Sequence, residues 1–478
     1  MVGKKRNFMI TQSQGIEALL KTWYKDGVES LFFRTSPVVK NISKTRVEGK
    51  EQAFAAMYGR GGAVSSKATQ ATAKSLANAK NAEFKVTPGQ RFSVFTYNLK
   101  EVQASLSKRG AYMKIAGNKA FAAAQALRST LAADFYGRGF GEIAVLGTAN
   151  ATAVAAVANA GDPVTIELPD SAIMKIDVDS DLVLKTSVSD TTEHGLFTVT
   201  AINGNKVTGN MNTLYASAAA TNVVALRGSM DASGNANAPM GIDGWLPIVG
   251  GRDDSNADWA AYKSTTFFNV NRSVNVEALM GSFYYDANNT KLAQDVEGLL
   301  RKVRRHGSEA DMIVMNDADF QKLADEIQAS NTYFTQTSTR SRREANIGID
   351  KLSASFSTNY IDLIYDDPFC PEGKFYVLDK ASVEFWSYTN AETIQNDGIE
   401  GNNPGKQNPE AFENKGQEDS PFKLVIDDFI SVAPGTQTDD GDAVRVTYNV
   451  FGSYVVLNPS NNGVGIFHTY TPSNVLGY

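Results

Sequence analysis

Apolar positions along this chain fall into blocks of different period, and each block predicts an element. In GNKAFAAAQALRSTLAADFYG (117–137), Phe121, Ala124, Leu127, Leu131 and Phe135 recur at spacings of three and four. That stripe predicts one long helix with an Ala-rich opposite face, stopped at Gly137. KEVQASLSKRGAYMKI before it predicts a short helix ending near Gly110. In NNTKLAQDVEGLLRKVRRHG (288–307), Leu292, Val296, Leu299 and Val303 line one side, Asn288 or Asn289 stands at the cap, and Gly307 closes a further helix. DMIVMN reads as a buried strand and DADFQKLADEI as the helix that follows it.

Strand period dominates elsewhere. Residues 44–58 read as a polar strand, and in FKVTPGQRFSVFTY (84–97) Phe84, Val86, Phe92 and Val94 alternate around a kink at Pro88-Gly89. Between them, GRGGAVSSKATQATAKSLANAKNAE (59–83) has almost no large apolar side chain and cannot bury a core of its own. Strand, long polar tip, strand: this predicts a protruding two-stranded arm. Residues 1–40 read as a further arm, with Ile16, Leu19, Leu20 and Trp23 in a short amphipathic period and Pro37 forcing extension. Residues 161–229 change character again. GDPVTIELP, AIMKIDVDSDLVLKT, GLFTVTAINGNKVTGN and NVVALRG are short strands parted by turn dipeptides such as Asn203-Gly204, which predicts a small β-barrel or sandwich inserted into the chain. YDDPFCPEGKFYVLD (365–379) reads as strand, turn, strand, residues 390–420 as a long polar loop, and AVRVTYNVFGSYVVLNP as closing strands.

Composition narrows the class. The 478 residues, 42% hydrophobic and 21% charged, have room for roughly two to four globular units. No run approaches the ~20 apolar residues of a membrane helix, and MVGKKRNFMITQSQG lacks the apolar core and cleavage site of a signal peptide. A single cysteine excludes an intrachain disulfide framework and points to a reducing place of synthesis. Charge is uneven. Residues 1–120 hold 21 Lys and Arg against 7 Asp and Glu, and the rest hold 25 against 45, giving +14 and −20 within a net −6. One end of the chain therefore suits an acidic partner, either nucleic acid or the acidic part of a neighbouring copy met head to tail.

Tests for chemistry fail one by one. Cys370 carries no local catalytic signature, and His194, His306 and His468 fall in a turn, at a helix end and in the tail. The expected role of Cys370 is a turn residue beside solvated Asp366 and Asp367. Asp177, Asp179 and Asp181 form D-x-D-x-D, but Leu182 and Val188 stand where a calcium loop needs Gly and Glu, so they read as the wet side of a strand. GRGFG (137–141) follows a helix instead of a strand, and in GNNPGKQ Gln407 replaces the Ser or Thr of a phosphate loop. Arg301, Lys302, Arg304 and Arg305 complement a helix dipole. No catalytic site, cofactor or metal is expected.

The order of the parts is the informative feature. TYNLKEVQASLSKRGAYMKIAGNKAFAAAQALRSTLAADFYGRGFGEIAVLG resembles an extended E-loop running into a spine helix; MGIDGWLP with FFNVNRSVNVEALMGSF, EADMIVMNDADFQKLADEI, YDDPFCPEGKFYVLDKASVEFW and AVRVTYNVFGSYVVLNPSNNGVGIF resemble further segments of the same family in the same order. That family is the tailed-bacteriophage major capsid protein, with the Hong Kong 97 (HK-97) type of fold. In EADMIVMNDADF, Asp317 stands where the family commonly has proline. The resemblance implies an α+β fold with an N-terminal arm (1–40), an E-loop (41–98), a spine helix and peripheral domain (99–160), an inserted β domain (161–232), more peripheral domain (233–310), an axial domain (311–435) and closing peripheral strands with the tail (436–478). It implies a non-enzymatic coat protein in the virion, made in the bacterial host cytoplasm, that assembles as hexamers and pentamers around packaged double-stranded DNA. Expected partners are other copies, a separate scaffolding protein, a portal and a decoration (cement) protein. No membrane partner is expected, nor removal of a large N-terminal piece. Lys50, Arg60, Lys67, Lys74, Lys80, Arg91 and Trp245 are the candidate assembly-interface residues. The alternatives are an encapsulin-type compartment, a β-rich hydrolase using Cys370 or a carboxylate pair, and a fibre or decoration protein, against which the long helix and α/β block count.

Overall fold

The computed structural model describes residues 36–47, 49–59, 65–73, 80–98, 115–188, 190–231, 234–308, 310–330, 354–356, 359–361, 363–387, 431–437 and 443–477. The expected arm over most of 1–40, the short helix at 100–115 (all but its last residue) and the loop at 390–420 lie outside them. Ser36 accepts from Val39 N at 3.3 Å and caps a single turn, α1 (Pro37–Asn41). Pro37 does not force extension as expected. It sits in the first turn, where its missing N–H has no partner to lose, and it starts the helix.

The strand expected over 44–58 divides in two. β1 (Ser43–Arg46) pairs parallel with residues 384–387, whereas β2 (Gln52–Gly59) pairs antiparallel with β3 (Lys80–Val86), placing Phe54 opposite Phe84. A short α2 (Ala68–Ala73) lies between β2 and β3 in the chain. After a break at Thr87-Pro88 the chain continues as β4 (Gly89–Asn98). Gly89 is required there, because a Cβ would lie 2.3 Å from the Ala238 carbonyl oxygen. Next comes α3 (Ile115–Asp134), on which β4 lies, the Ser93 hydroxyl donating to Ala123 O at 2.9 Å. Leu127, Leu131 and Phe135 of the expected stripe are buried. The side chains of Phe121 and Ala124 are outside the described set.

A six-stranded antiparallel sheet follows, built from β5 (Glu142–Val145), β6 (Pro163–Glu167), β7 (Asp181–Lys185), β8 (Gly195–Asn203), β9 (Lys206–Thr213) and β10 (Val223–Leu226) in the order β5-β10-β7-β8-β9-β6. Its core joins Leu182, Leu184, Phe197, Val199 and Val207 to Ala151 and Val154 of α4 (Thr148–Ala155). The unit is neither the expected closed barrel nor a two-sheet sandwich. Asn150 of α4 shows why the path stays open: its side chain bonds both N and O of Glu167, at 2.8 and 2.6 Å, and so occupies edge groups of β6 that another strand would need. The unit also begins before the expected boundary at 161, since β5 is one of its edge strands. A four-residue α5 (Asp170–Ile173) precedes β7. Asp177 and Asp179 are in the turn ahead of β7, with Asp179 at φ +68°, and not on a strand.

The remaining chain forms α6 (Ile242–Trp245), α7 (Ala257–Lys263), β11 (Thr266–Phe267), β12 (Val270–Asn271), α8 (Val276–Met280), β13 (Ser282–Tyr284), α9 (Leu292–Arg305), β14 (Met312–Met315), α10 (Asp317–Ser330), β15 (Ala354–Phe356), β16 (Asn359–Ile361), β17 (Leu363–Asp366), β18 (Lys374–Leu378), β19 (Val383–Ser387), β20 (Ser431–Gln437), β21 (Ala443–Val456) and β22 (Gly463–Ile466). β1-β19-β21-β20 form one sheet, with β4 also paired to β21, and β13-β22-β18-β14-β17 form another. The assignment of segments to sheets differs from the sequence expectation. α9 and β13 belong with the second sheet, KFYVLDKASVEFW is split between the two sheets, and β22 leaves the closing strands to pair with β18. Leu292, Val296, Leu299 and Val303 are buried as expected, but no Asn caps α9; Glu326 from α10 accepts from Leu292 N at 2.7 Å instead.

The largest core gathers on Trp245, which is 0% exposed and donates Nε1–H to Tyr454 O at 2.9 Å. Replacement by alanine should cost about 3–5 kcal/mol, as removal of a fully buried aromatic does. Denaturant titration of wild type and Trp245→Ala measures it, and a loss below about 1 kcal/mol would contradict this packing.

Candidate assembly interface

The β2–β3 hairpin presents one packed face and one exposed face. Its base is fixed. Phe54 and Phe84 stack with centroids 5.2 Å apart and both meet Trp245, at 6.0 and 5.3 Å, while Phe54 also meets Trp386 edge-on at 5.7 Å. Two hydrogen bonds add to this: the Asn275 side chain donates Nδ2–H to Tyr58 O at 2.9 Å, and Lys85 N donates to Phe268 O at 3.0 Å. The alternate positions Ala53, Ala55 and Met57 are exposed, Met57 by 66%. A second exposed apolar strip lies on β4, where Phe92 and Val94 are each 52% exposed and Phe92 meets Phe451 edge-on at 5.9 Å. Their strand neighbours Arg91, Ser93 and Phe95 face the interior side.

The candidate residues therefore divide. Lys50, Lys67 and Lys80 are exposed on or beside the hairpin, and Arg60 and Lys74 lie outside the described residues. Two expectations are corrected. Trp245 is interior and holds the hairpin from within, because its ring is wholly covered by aromatic neighbours. Arg91 is taken by its own chain, with Nε and Nη2 each 2.7 Å from one oxygen of Asp134 and Nη1 3.1 Å from Ser229 Oγ.

The turn after β17 is buried and bonded to distant parts of the chain. Asp367 is not solvated as expected. It is 0% exposed, accepts from the Ser36 hydroxyl, from Tyr136 OH at 2.8 Å and from Phe369 N at 3.0 Å, and among the described residues forms no ion pair. Burial raises its pKa against those hydrogen bonds. Cys370 is buried beside it, and burial, then Asp367 and Asp319, push the thiol well above its usual range, the opposite of an activated nucleophile. Asp319, also buried, accepts from Gly373 N at 2.8 Å and Tyr470 OH at 2.6 Å. Asp243 pairs with the equally buried Lys374 and accepts from Tyr376 OH at 2.6 Å. Among the described residues no group of three His, Cys, Asp or Glu is placed to hold a metal, and no helix is long and apolar enough to cross a membrane. Sequence reading missed Ser36, Tyr136 and Asp243. The one available signal was the setting of Asp367 between Tyr365 and Phe369-Cys370-Pro371, which favours a buried turn.

No protein-family model matches the chain, and neither does any curated protein sequence. Solved structures do show likeness. One is the capsid asymmetric unit of cyanophage A-1(L), with 11% identity, 97% of this chain and 98% of that one covered, and a TM-score of 0.48. The capsid of a native GTA particle gives 8% identity, 96% and 99% coverage and 0.45. The holo-SrpI encapsulin complex from Synechococcus elongatus PCC 7942 gives 9%, 95% and 96%, and 0.38. Such scores mark a loose likeness in outline, and the elements of this chain carry the functional reading.

Asp367 generates a pH prediction. A carboxyl whose folded pKa lies above its unfolded value stabilises most below the unfolded value, about 3.9, and loses that contribution as pH rises through the folded pKa. The melting-temperature advantage of wild type over Asp367→Asn should therefore shrink from about pH 4 to pH 8. Calorimetry across that range tests it, and an advantage that grows with pH would show that the hydrogen bonds outweigh burial.

Proposed function

We propose that this chain is the structural major capsid protein of a tailed bacteriophage. It assembles as hexamers and pentamers into an icosahedral shell around packaged double-stranded DNA. The observation that carries this reading is the β2–β3 hairpin, packed on the core along one face and exposed at Ala53, Ala55 and Met57 on the other. A two-stranded ribbon is marginal in water on its own, and an outward face with exposed apolar positions suits cover by another surface. The parts around it fit a shell subunit: a long helix under β4, two sheets with separate helices, and an appended six-stranded unit. The buried state of Cys370 argues against the hydrolase alternative. On this reading the protein resides in the virion, is assembled in the host cytoplasm with a separate scaffolding protein, and meets a portal and a decoration protein. DNA is contacted through charge, without sequence readout.

Negative-stain electron microscopy with light scattering of the purified protein, alone and with its scaffolding partner, tests the proposal. Closed shells, sheets or five- and six-membered rings are expected. A protein that stays monomeric in both conditions would overturn it, and closed shells holding a cargo protein in place of DNA would favour the encapsulin-type reading. Lys50→Glu, Lys67→Glu and Lys80→Glu together should raise the concentration needed for assembly on the order of tenfold, from about 0.5 kcal/mol per exposed contact. Circular dichroism of the triple variant should match wild type.

A further inference from the structure

The six-stranded unit has its own core, which shares no residue with the core around Trp245. It is joined to the rest of the chain by two crossings, 137–141 inward and 227–240 outward. At the neck these strands touch. Leu226 N donates to Gly141 O at 2.8 Å and Ala238 N to Gly139 O at 3.1 Å. A Cβ on Gly141 (φ +65°) would lie 2.1 Å from Ser229 Oγ and 3.4 Å from Arg91 Nη2. The guanidinium of Arg91 therefore caps the crossing. It holds the last residue of α3, Asp134, through two bonds and the outgoing Ser229 through a third, with 11% of its side chain exposed.

Beside this neck a cleft of about 560 Å³ separates the two bodies. Arg91, Phe92, Leu127 and Thr130 line one wall, and Ser180, Asp181 and Arg227 line the other. Elsewhere charged groups of the unit and the main body lie near one another. Lys175 is half-buried and its desolvation lowers its pKa, with Glu142 and Asp243 acting against that shift, while Glu372 is raised by burial, then by Asp319 and Asp170. Two independently packed bodies, a two-strand neck and an unfilled space on one side are the parts of a hinge.

We infer that the six-stranded unit is a hinged module that rocks about residues 139–141 and 227–229 into this cleft, and that the Arg91–Asp134–Ser229 clasp holds it open. The clasp works because its bonds are charge-assisted and mostly buried, and because it grips the end of α3 and the outgoing strand at once. Losing it frees the neck angle without touching either core.

The test uses the full chain with Thr130→Cys and Ser180→Cys, one on each wall. A disulfide needs Cα atoms within about 7 Å, so the bridge reports closure. Under mild oxidation the 130–180 bridge, identified by peptide mass mapping, should form in this background. It should form roughly tenfold faster when Arg91→Gln is added, about the weight of one charge-assisted hydrogen bond. Ser229→Ala, which removes one arm of the clasp, should give a smaller acceleration. Absence of the bridge in every protein, or equal rates with and without Arg91, would overturn the hinge. So would acceleration accompanied by faster hydrogen exchange throughout α3 and β4, since that is general loosening of the body.

Discussion

The packing of Trp245 is the constraint on which the rest of the structure depends. Its ring meets Phe54 and Phe84 from the hairpin and Phe267 and Phe268 at the end of β11, while its N–H is fixed by Tyr454 O on β21. Four segments far apart in sequence thus converge on one side chain. Arg272 closes the cluster. It lies over Phe267 with its guanidinium carbon 3.9 Å from the ring centroid and donates to Gly244 O at 2.9 Å, and burial lowers its pKa. A buried cation facing carbonyls and an aromatic face is costly to leave half-solvated, so the site tolerates one arrangement. The hairpin owes its direction to this cluster and to the inward row Phe54, Ala56 and Tyr58, which packs on the same core.

Sequence legibility follows from how local each cause is. The stripe of α9 and the buried strand β14 were readable because period and burial arise within one short segment. The Asn cap expected for α9 was not, because the acceptor that replaced it, Glu326, comes from the next helix. Asp367 looked solvated because charge is the local signal, whereas its burial depends on Ser36 and Tyr136, 331 and 231 positions away. Trp245 was legible as an anchor but not as an interior one. Arg91 carried no mark that it would be claimed by Asp134. The second strand expected over 84–97 divides because Thr87-Pro88 breaks it, leaving β3 paired with β2 and β4 paired with β21.

The main body gains rigidity from the way its two sheets exchange strands. The chain passes from β18 in one sheet to β19 in the other, and later from β21 back to β22. Both crossings meet at Asn462, which is fully buried. Its side chain donates to Ser382 Oγ at 2.8 Å and accepts from Asp379 N at 2.8 Å, and its carbonyl accepts from Ser282 N at 3.0 Å. One amide therefore ties the two turns that link the sheets, and moving one sheet against the other would strand these groups without water.

This arrangement divides the molecule by stiffness. Interleaved strands and a satisfied polar lock make the two-sheet body one unit, on which the hairpin and the six-stranded unit are mounted. The attachments differ in kind. The hairpin is held by aromatic packing, which is short-ranged and intolerant of displacement. The six-stranded unit is held by a guanidinium clasp, whose bonds can be exchanged for water at modest net cost. On the proposed capsid reading, the first attachment fixes where an arm reaches and the second lets an appendage adjust to what it finds there. Position is set by packing, and compliance by charge.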